Sequence, residues 1–156
     1  MSLIIATGSN IGNSLQSLSL AKESLAKHFN LIAESRIYTS PAVDYLEQPD
    51  FLNQVLEFEI PCSDSLSIFK ICQSIESEMG RVKKIEKGPR NIDIDILFIG
   101  TQQFRDRSLE IPHPRLFQRS FVVLPLKELP FFQKLQLLFE FPDHFSNSAT
   151  PFPIES

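Results

Sequence analysis

Nothing in the chain approaches the ~20 consecutive apolar residues of a membrane-spanning helix. The N-terminus has no basic lead segment, and its apolar run, Leu3 to Ala6, is too short for a signal peptide, which predicts a cytoplasmic protein away from membranes. Cysteine is scarce: Cys62 and Cys72 are the only two, they do not have metal-ligand spacing, and both read as core filler in a reducing compartment. A positive excess is also missing. The net charge of −4 argues against a general nucleic-acid-binding surface. No internal repeat is visible. Gly8-Ser9-Asn10-Ile11-Gly12-Asn13 follows an apolar run as phosphate loops do, but the Gly-Lys-Ser/Thr ending of a Walker A loop is absent, and a plain strand-to-helix turn is expected there.

What is present suits one globular domain. A length of 156 residues with 42% hydrophobic composition can bury about two-thirds of its unfolded surface. The chain is organised around Ile92-Asp93-Ile94-Asp95-Ile96-Leu97-Phe98-Ile99. Strand alternation there puts Ile92, Ile94, Ile96 and Phe98 on one face, and Asp93, Asp95, Leu97 and Ile99 on the other. Side chains two apart stand roughly 7 Å from each other on the same side. Two carboxylates on one rigid strand suit Mg²⁺, which takes one or two protein carboxylates and fills its octahedron with water and phosphate oxygens. The simpler alternative is a pair of aspartates on the wet face of an edge strand. Immediately upstream, residues 81–90 hold five basic side chains, Arg81, Lys83, Lys84, Lys87 and Arg90, against Glu86 alone. A basic patch on an acidic protein points to a small anionic ligand more than to a polymer.

The rest of the pattern supplies the fold. Leu3 to Ala6 reads as a strand. Asn13 caps a helix, with Gln16 as its capping-box partner and Leu18, Ala21, Leu25 and Phe29 on one face. Leu31 to Tyr38 and Phe51 to Ile60 alternate as strands, joined by a loop of about eleven residues, long enough to suggest function. Phe51 beside Asn53 offers a ring and an amide to a flat heterocycle, or is an ordinary sheet aromatic with an exposed amide. Ser63 or Asp64 caps a second helix whose apolar stripe is Ile68, Ile71, Cys72, Ile75 and Met79, with Gly80 just past its end. Leu109 to Ile111 is a short strand. Arg115 and Arg119 share a face if a helical turn forms between them, and Val122 to Leu126 is buried. Residues 130–156 are rich in Phe and Pro without periodicity; Leu135 to Phe141 is a candidate last element, and the last ~10 residues are expected to be disordered. Strand, helix, strand, strand, helix, strand is the order of a ferredoxin-like α+β domain, a βαββαβ core with helices packed on an antiparallel sheet.

Several separated motifs carry a resemblance. They are Gly8-Ser9-Asn10-x-Gly12; Tyr38-x-Ser40-Pro41; Gln48-Pro49-x-Phe51-x-Asn53; and Ile75-Glu76-x-Glu78-x-Gly80-Arg81. The last two are Gly88-Pro89-Arg90-x-Ile92-Asp93-x-Asp95-Ile96-Leu97, and Ile111-Pro112-His113-Pro114-Arg115 with Arg119-x-Phe121-Val122. In this order they resemble the 6-hydroxymethyl-7,8-dihydropterin pyrophosphokinases of folate biosynthesis, from about residue 3 to residue 126. The resemblance implies transfer of diphosphate from ATP to the pterin's hydroxymethyl group, with release of AMP. It implies two Mg²⁺ ions on Asp93 and Asp95, with Arg81 and Arg90 as further catalytic residues. Lys83, His113 and Arg119 match triphosphate contacts, and Gln73 and Glu76 match the nucleotide side. Phe51 and Phe121 match the rings that sandwich the pterin, Asn53 its polar edge, and Ser40, Pro41 and Val43 further contacts to the same ring. The loops 39–50 and 81–90 are expected to be mobile lids that exclude water. Residues 1–130 are expected to form the pyrophosphokinase domain, and 131–156 a divergent extension. The chain is expected to be a monomer, alone or fused to another folate-pathway enzyme.

The departures are specific. Lys87 stands where the family usually has tryptophan, Lys83 where arginine is common, and Phe117 where histidine is frequent. An ammonium cannot reproduce a bidentate guanidinium contact, so slower turnover or altered lid closure is expected. Two alternatives stay open: a catalytically weak pterin- or nucleotide-binding domain that assists a partner enzyme, and a kinase releasing ADP.

Overall fold

The computed structural model describes residues 1–41, 48–80, 91–107 and 109–153. Its elements are β1 (Ser2–Ser9), α1 (Ser14–Ala26), β2 (Leu31–Glu34), β3 (Tyr38–Ser40), β4 (Phe51–Glu59), α2 (Ser65–Glu78) and β5 (Asp93–Ile99). A small hairpin, β6 (Phe104–Arg105) and β7 (Glu110–Ile111), is followed by a 3₁₀ turn (Leu116–Gln118), α3 (Ser120–Leu126), α4 (Phe132–Leu135) and β8 (Thr150–Pro151). The main sheet has the order β5-β1-β4-β3-β8, with β2 also on β4, and its pairings are antiparallel. Taking β2 and β3 as one interrupted strand, this is the ferredoxin-like arrangement expected from the order of elements. No helix among the described residues is long and apolar enough to cross a membrane.

Local chemistry sets the element ends. Asn13 Oδ1 accepts from the Gln16 N–H at 3.1 Å, and Asp64 Oδ1 from the Ser67 N–H at 2.8 Å; a cap of this kind is worth ~1 kcal/mol. Gly80 ends α2 at φ +78°, the left-handed region that only glycine enters without penalty. The second strand does not run unbroken from Leu31 to Tyr38. Its ladder on β4 is interrupted at Ser35, whose hydroxyl donates to the Arg36 carbonyl at 2.7 Å and accepts from the Val55 N–H at 3.0 Å.

Each face of the sheet buries its own core. Leu3, Ile5, Leu56 and Phe58 pack under α1 and α2 with Leu18, Leu25, Ile68 and Ile75. Ile4, Val55, Leu97 and Phe98 pack on the opposite face against α3 and α4. Burying such side chains contributes about 1.5–3 kcal/mol each. The expected alternation along β5 fails at one point. Ile5 pairs with Ile96, but Ile4 pairs with Phe98 and Leu3 with Ile99, so Leu97 is an extra residue in a bulge. Beyond it the faces exchange: Phe98 joins the second core and Ile99 the first.

Two further expectations are corrected. Cys72 is buried, and burial pushes its thiol up to about 12. Cys62 is exposed, not core filler, because it lies in the turn before α2, outside the apolar stripe. The tail has defined structure from Ser146 to residue 153, and the last three residues lie outside the described ones. Thr150 and Pro151 pair with Thr39 and Tyr38, and the Phe152 N–H donates to the Ile37 carbonyl at 2.7 Å. Side-chain and edge pairings that no periodicity announces hold it in place.

Candidate active site

Asp93 and Asp95 sit at the start of β5, opposite Gly8 and Ala6 of β1. The isoleucines flanking them, Ile92, Ile94 and Ile96, are buried in the core beneath α2, so the two carboxylates face the other way. β5 is an edge strand of its sheet, and its outward Ile94 N–H is satisfied by Glu76 Oε2 of α2 at 2.7 Å. Both aspartates line a cavity of about 330 Å³. Asp95 also lines a second, of about 340 Å³. Among the described residues no group of three or more His, Cys, Asp and Glu is placed to hold a metal. Two carboxylates with room beside them fit a hard cation that keeps coordination sites for water and phosphate.

The first cavity has a floor of strand and walls of aromatic ring. Ala6, Thr7 and Gly8 of β1 and Phe51, Asn53 and Gln54 of β4 form the floor; Phe121 and Ser40-Pro41 stand beside it. Its amides are fixed. Asn53 Nδ2 donates to Ser40 Oγ at 2.8 Å, Gln54 Nε2 to the Ser35 carbonyl at 2.8 Å, and Asn10 Nδ2 to Gln48 Oε1 at 2.9 Å. Gly8 keeps the floor low: a Cβ there would lie 3.1 Å from Asn53 Oδ1 and 3.9 Å from Phe51 Cδ1. The Arg119 guanidinium lies over the Phe121 ring, 5.8 Å from its centre, a cation–π contact. A cavity with rings at its sides and immobile amides in its base suits a flat heterocycle with a hydrogen-bonding edge.

The second cavity lies beside the β6–β7 hairpin and takes Asp95, Asp106, Arg107, Glu110 and His113 into its lining. His113 Nδ1 accepts from the Arg115 N–H at 3.3 Å. Burial holds the imidazole below its ordinary pKa, and the Arg119 and Arg115 cations add to this, against the opposing pull of Asp93 and Glu110. The group is therefore kept neutral and able to hydrogen-bond. The helical turn expected between Arg115 and Arg119 is the 3₁₀ turn, and both arginines reach the first cavity.

The residues singled out in the sequence divide accordingly. Ser40, Pro41, Phe51, Asn53, Phe121, Asp93, Asp95 and Arg119 meet in the first cavity, and His113 joins Asp95 in the second. Gln73 is exposed on α2 and Glu76 is buried beneath β5; neither lines either cavity. Val43, Arg81, Lys83 and Arg90 lie outside the described residues, as do residues 42–47 of one expected lid loop and all of the other, 81–90. Phe117 is an aromatic core residue, its ring 5.2 Å from that of Phe141 and 6.4 Å from that of Phe98. Sequence reasoning missed Arg115, Gln54, Ser146 and Asn147 as lining residues. Arg115 was visible in its motif; Asn147, in an aperiodic tail, carried no signal.

The model of the family 7,8-dihydro-6-hydroxymethylpterin-pyrophosphokinase (HPPK) matches residues 4–130. The chain is 40% identical over 126 residues to the folic acid synthesis protein fol1 of Pneumocystis carinii, covering 80% of this chain but 17% of that protein. It is 35% identical over 127 residues to the 2-amino-4-hydroxy-6-hydroxymethyldihydropteridine pyrophosphokinase of Bacillus subtilis, covering 80% and 75% respectively. The chain thus spans about a sixth of the first relative and three quarters of the second. Among solved structures, an HPPK-DHPS in complex with substrates superposes with a TM-score of 0.61 at 16% identity, covering 82% of this chain and 39% of that one.

Proposed function

The chain belongs to the 7,8-dihydro-6-hydroxymethylpterin-pyrophosphokinase family, and from that premise we propose that it transfers the β,γ-diphosphate of ATP to the hydroxymethyl oxygen of 6-hydroxymethyl-7,8-dihydropterin, releasing AMP. One observation carries the reading: Asp95 lines both cavities. One carboxylate of the pair thus lines both a ring-walled cavity and a polar one, with Asp93 beside it in the first, as a transfer between a heterocycle and a polyphosphate requires. The pterin occupies the first cavity between Phe51 and Phe121, its polar edge toward Asn53, with Ser40, Pro41 and Val43 around it. The triphosphate enters from the side of His113 and Arg119, and by motif match Arg81, Lys83 and Arg90 add cations to it.

Asp93 and Asp95 are the residues that would hold two Mg²⁺ ions; when bound, these neutralise phosphate charge and align the attacking and leaving oxygens. The chain's own part is position and charge. The strand fixes the carboxylates, the amides and rings orient the pterin, and the guanidiniums meet negative charge that grows during transfer. Gln73 and Glu76 are left out of the proposed nucleotide site, since Glu76 is occupied with the edge of β5. The pyrophosphokinase domain is residues 1–130, with 131–156 a divergent extension that packs on it and reaches the first cavity, and the setting is the cytoplasm. The relatives include a bifunctional FolKE protein of Lactococcus lactis, and this chain would act either alone or beside a second folate-pathway enzyme.

The test is nucleotide product analysis with ATP, Mg²⁺ and 6-hydroxymethyl-7,8-dihydropterin. Pterin-dependent AMP is expected, falling at least about a hundredfold in Asp95→Ala. ADP in place of AMP would overturn the reaction type. Pterin binding without product would favour the catalytically weak domain instead.

A further inference from the structure

Between the wall that carries Phe121 and the wall that carries Ser40 runs a segment to which the family match, ending at residue 130, assigns nothing. α3 begins at Ser120 without a capping side chain from its own N-terminal neighbour, Arg119. The cap comes instead from 27 residues downstream. Asn147 Oδ1 accepts from the Ser120 N–H at 2.7 Å and from Ser120 Oγ at 2.5 Å, while its Nδ2 donates to the Gln118 carbonyl at 2.8 Å. One amide therefore grips the backbone on both sides of Arg119 and one residue before Phe121. Ser120 is 1% exposed, so water has little access to replace its two bonds to Asn147; the bond to the Gln118 carbonyl is exposed. Asn147 lines the first cavity itself. The chain then pairs through Thr150 and Pro151 with β3, the strand that ends at Ser40.

We propose that Asn147 is a positioning residue for the heterocycle: the tail ties the Phe121 wall to the Ser40 wall, and Asn147 sets the ring of Phe121 across the cavity from Phe51. This rests on the reading of that cavity as the pterin site. A cap of this kind belongs to the backbone, so its loss shifts the short, stiff Phe121 side chain more than the long Arg119 head, which can re-extend.

The experiment compares Asn147→Ala, Asn147→Asp and Ser120→Ala with the unmodified chain, by KM for pterin, KM for ATP, kcat and melting temperature. Asn147→Ala is expected to raise the pterin KM about tenfold while kcat and the ATP KM stay within about twofold. Asn147→Asp keeps the oxygen acceptor and loses only the donor to Gln118, and should recover the pterin KM to within about threefold of the unmodified value. A pterin KM unchanged in Asn147→Ala overturns the proposal, as does a uniform decline of all three constants with the melting temperature, since that is what a merely structural bond gives. Should Asn147→Ala fail to fold, Ser120→Ala decides: loss of one of the three bonds is expected to raise the pterin KM about threefold, and no rise overturns the proposal. An unmodified chain that neither binds pterin nor releases AMP sinks both readings. An active unmodified chain with an unaltered Asn147→Ala sinks this one alone.

Discussion

The two cavities that share Asp95 are built by different means. The first is cut into the sheet itself. Its floor is a hydrogen-bonded ladder whose amides Asn53 and Gln54 are bonded to Ser40 and Ser35, with Gln48 bonded to Asn10. The rings of Phe51 and Phe121 and the charges of Asp93, Asp95, Arg115 and Arg119 line it as well. The second lies against a two-stranded hairpin, where exposed Asp106 and Arg107 join His113. The difference matches what each is proposed to hold. A rigid heterocycle is recognised by groups that do not move on binding. A flexible polyphosphate is gathered by long cationic side chains that can follow it. Arg107 stands in the second cavity beside Asp95, Asp106 and Glu110, and Arg115 and Arg119 line the first, so the triphosphate would meet its countercharge where the two cavities share Asp95.

Substitutions that fall on one cavity alone test the division. The largest effect should come from Phe121→Ala, which strips a wall from the first. The pterin KM is expected to rise at least about tenfold, with the ATP KM within about twofold, and steady-state kinetics with each substrate varied in turn would show it. Equal effects on both constants would break the comparison. His113→Gln should act on the second cavity, raising the ATP KM by roughly threefold to tenfold while leaving that of pterin. The same variant has a pH signature. Because burial holds His113 below its ordinary pKa in the folded chain, the unfolded chain takes up a proton first as pH falls through ~6.5. The stabilisation from the neutral imidazole is therefore complete above that value and is lost toward the lower folded pKa. Melting temperatures at about pH 5 and about pH 7.5 should differ less in His113→Gln than in the unmodified chain. Gly8→Ala should give the smallest change. Its methyl group would press on Asn53 Oδ1 and only touch Phe51, raising the pterin KM about twofold to fivefold and costing about 1 kcal/mol or less in a thermal melt.

Much of this was legible where the chain repeats. The α2 stripe and the alternation from Ile92 to Ile96 named both helix face and strand face, because one-sided burial forces a period on the sequence. Asp93 and Asp95 stood out against that period. Legibility ended where a single contact overruled it. Glu76 lies off its helix stripe, yet is 8% exposed, because an edge strand's N–H needs an acceptor. Glu57 is likewise buried within β4, accepting from Ser2 Oγ at 2.8 Å and from the Phe131 N–H at 3.0 Å. The tail was the least readable part: Phe132, Phe139 and Phe141 pack into the second core from short turns that impose no spacing, and Asn147 works through one amide.

The bulge at Leu97 divides β5 into two halves that answer to different demands. Upstream, strict alternation holds both carboxylates on one side; downstream, Phe98 is turned to meet Phe139, 5.4 Å between ring centres. A one-residue slip in a strand exchanges its two faces. Here that exchange is confined to the residues beyond Leu97, so Phe98 and Ile99 change cores while Asp93 and Asp95 keep the side of the sheet on which the cavity lies.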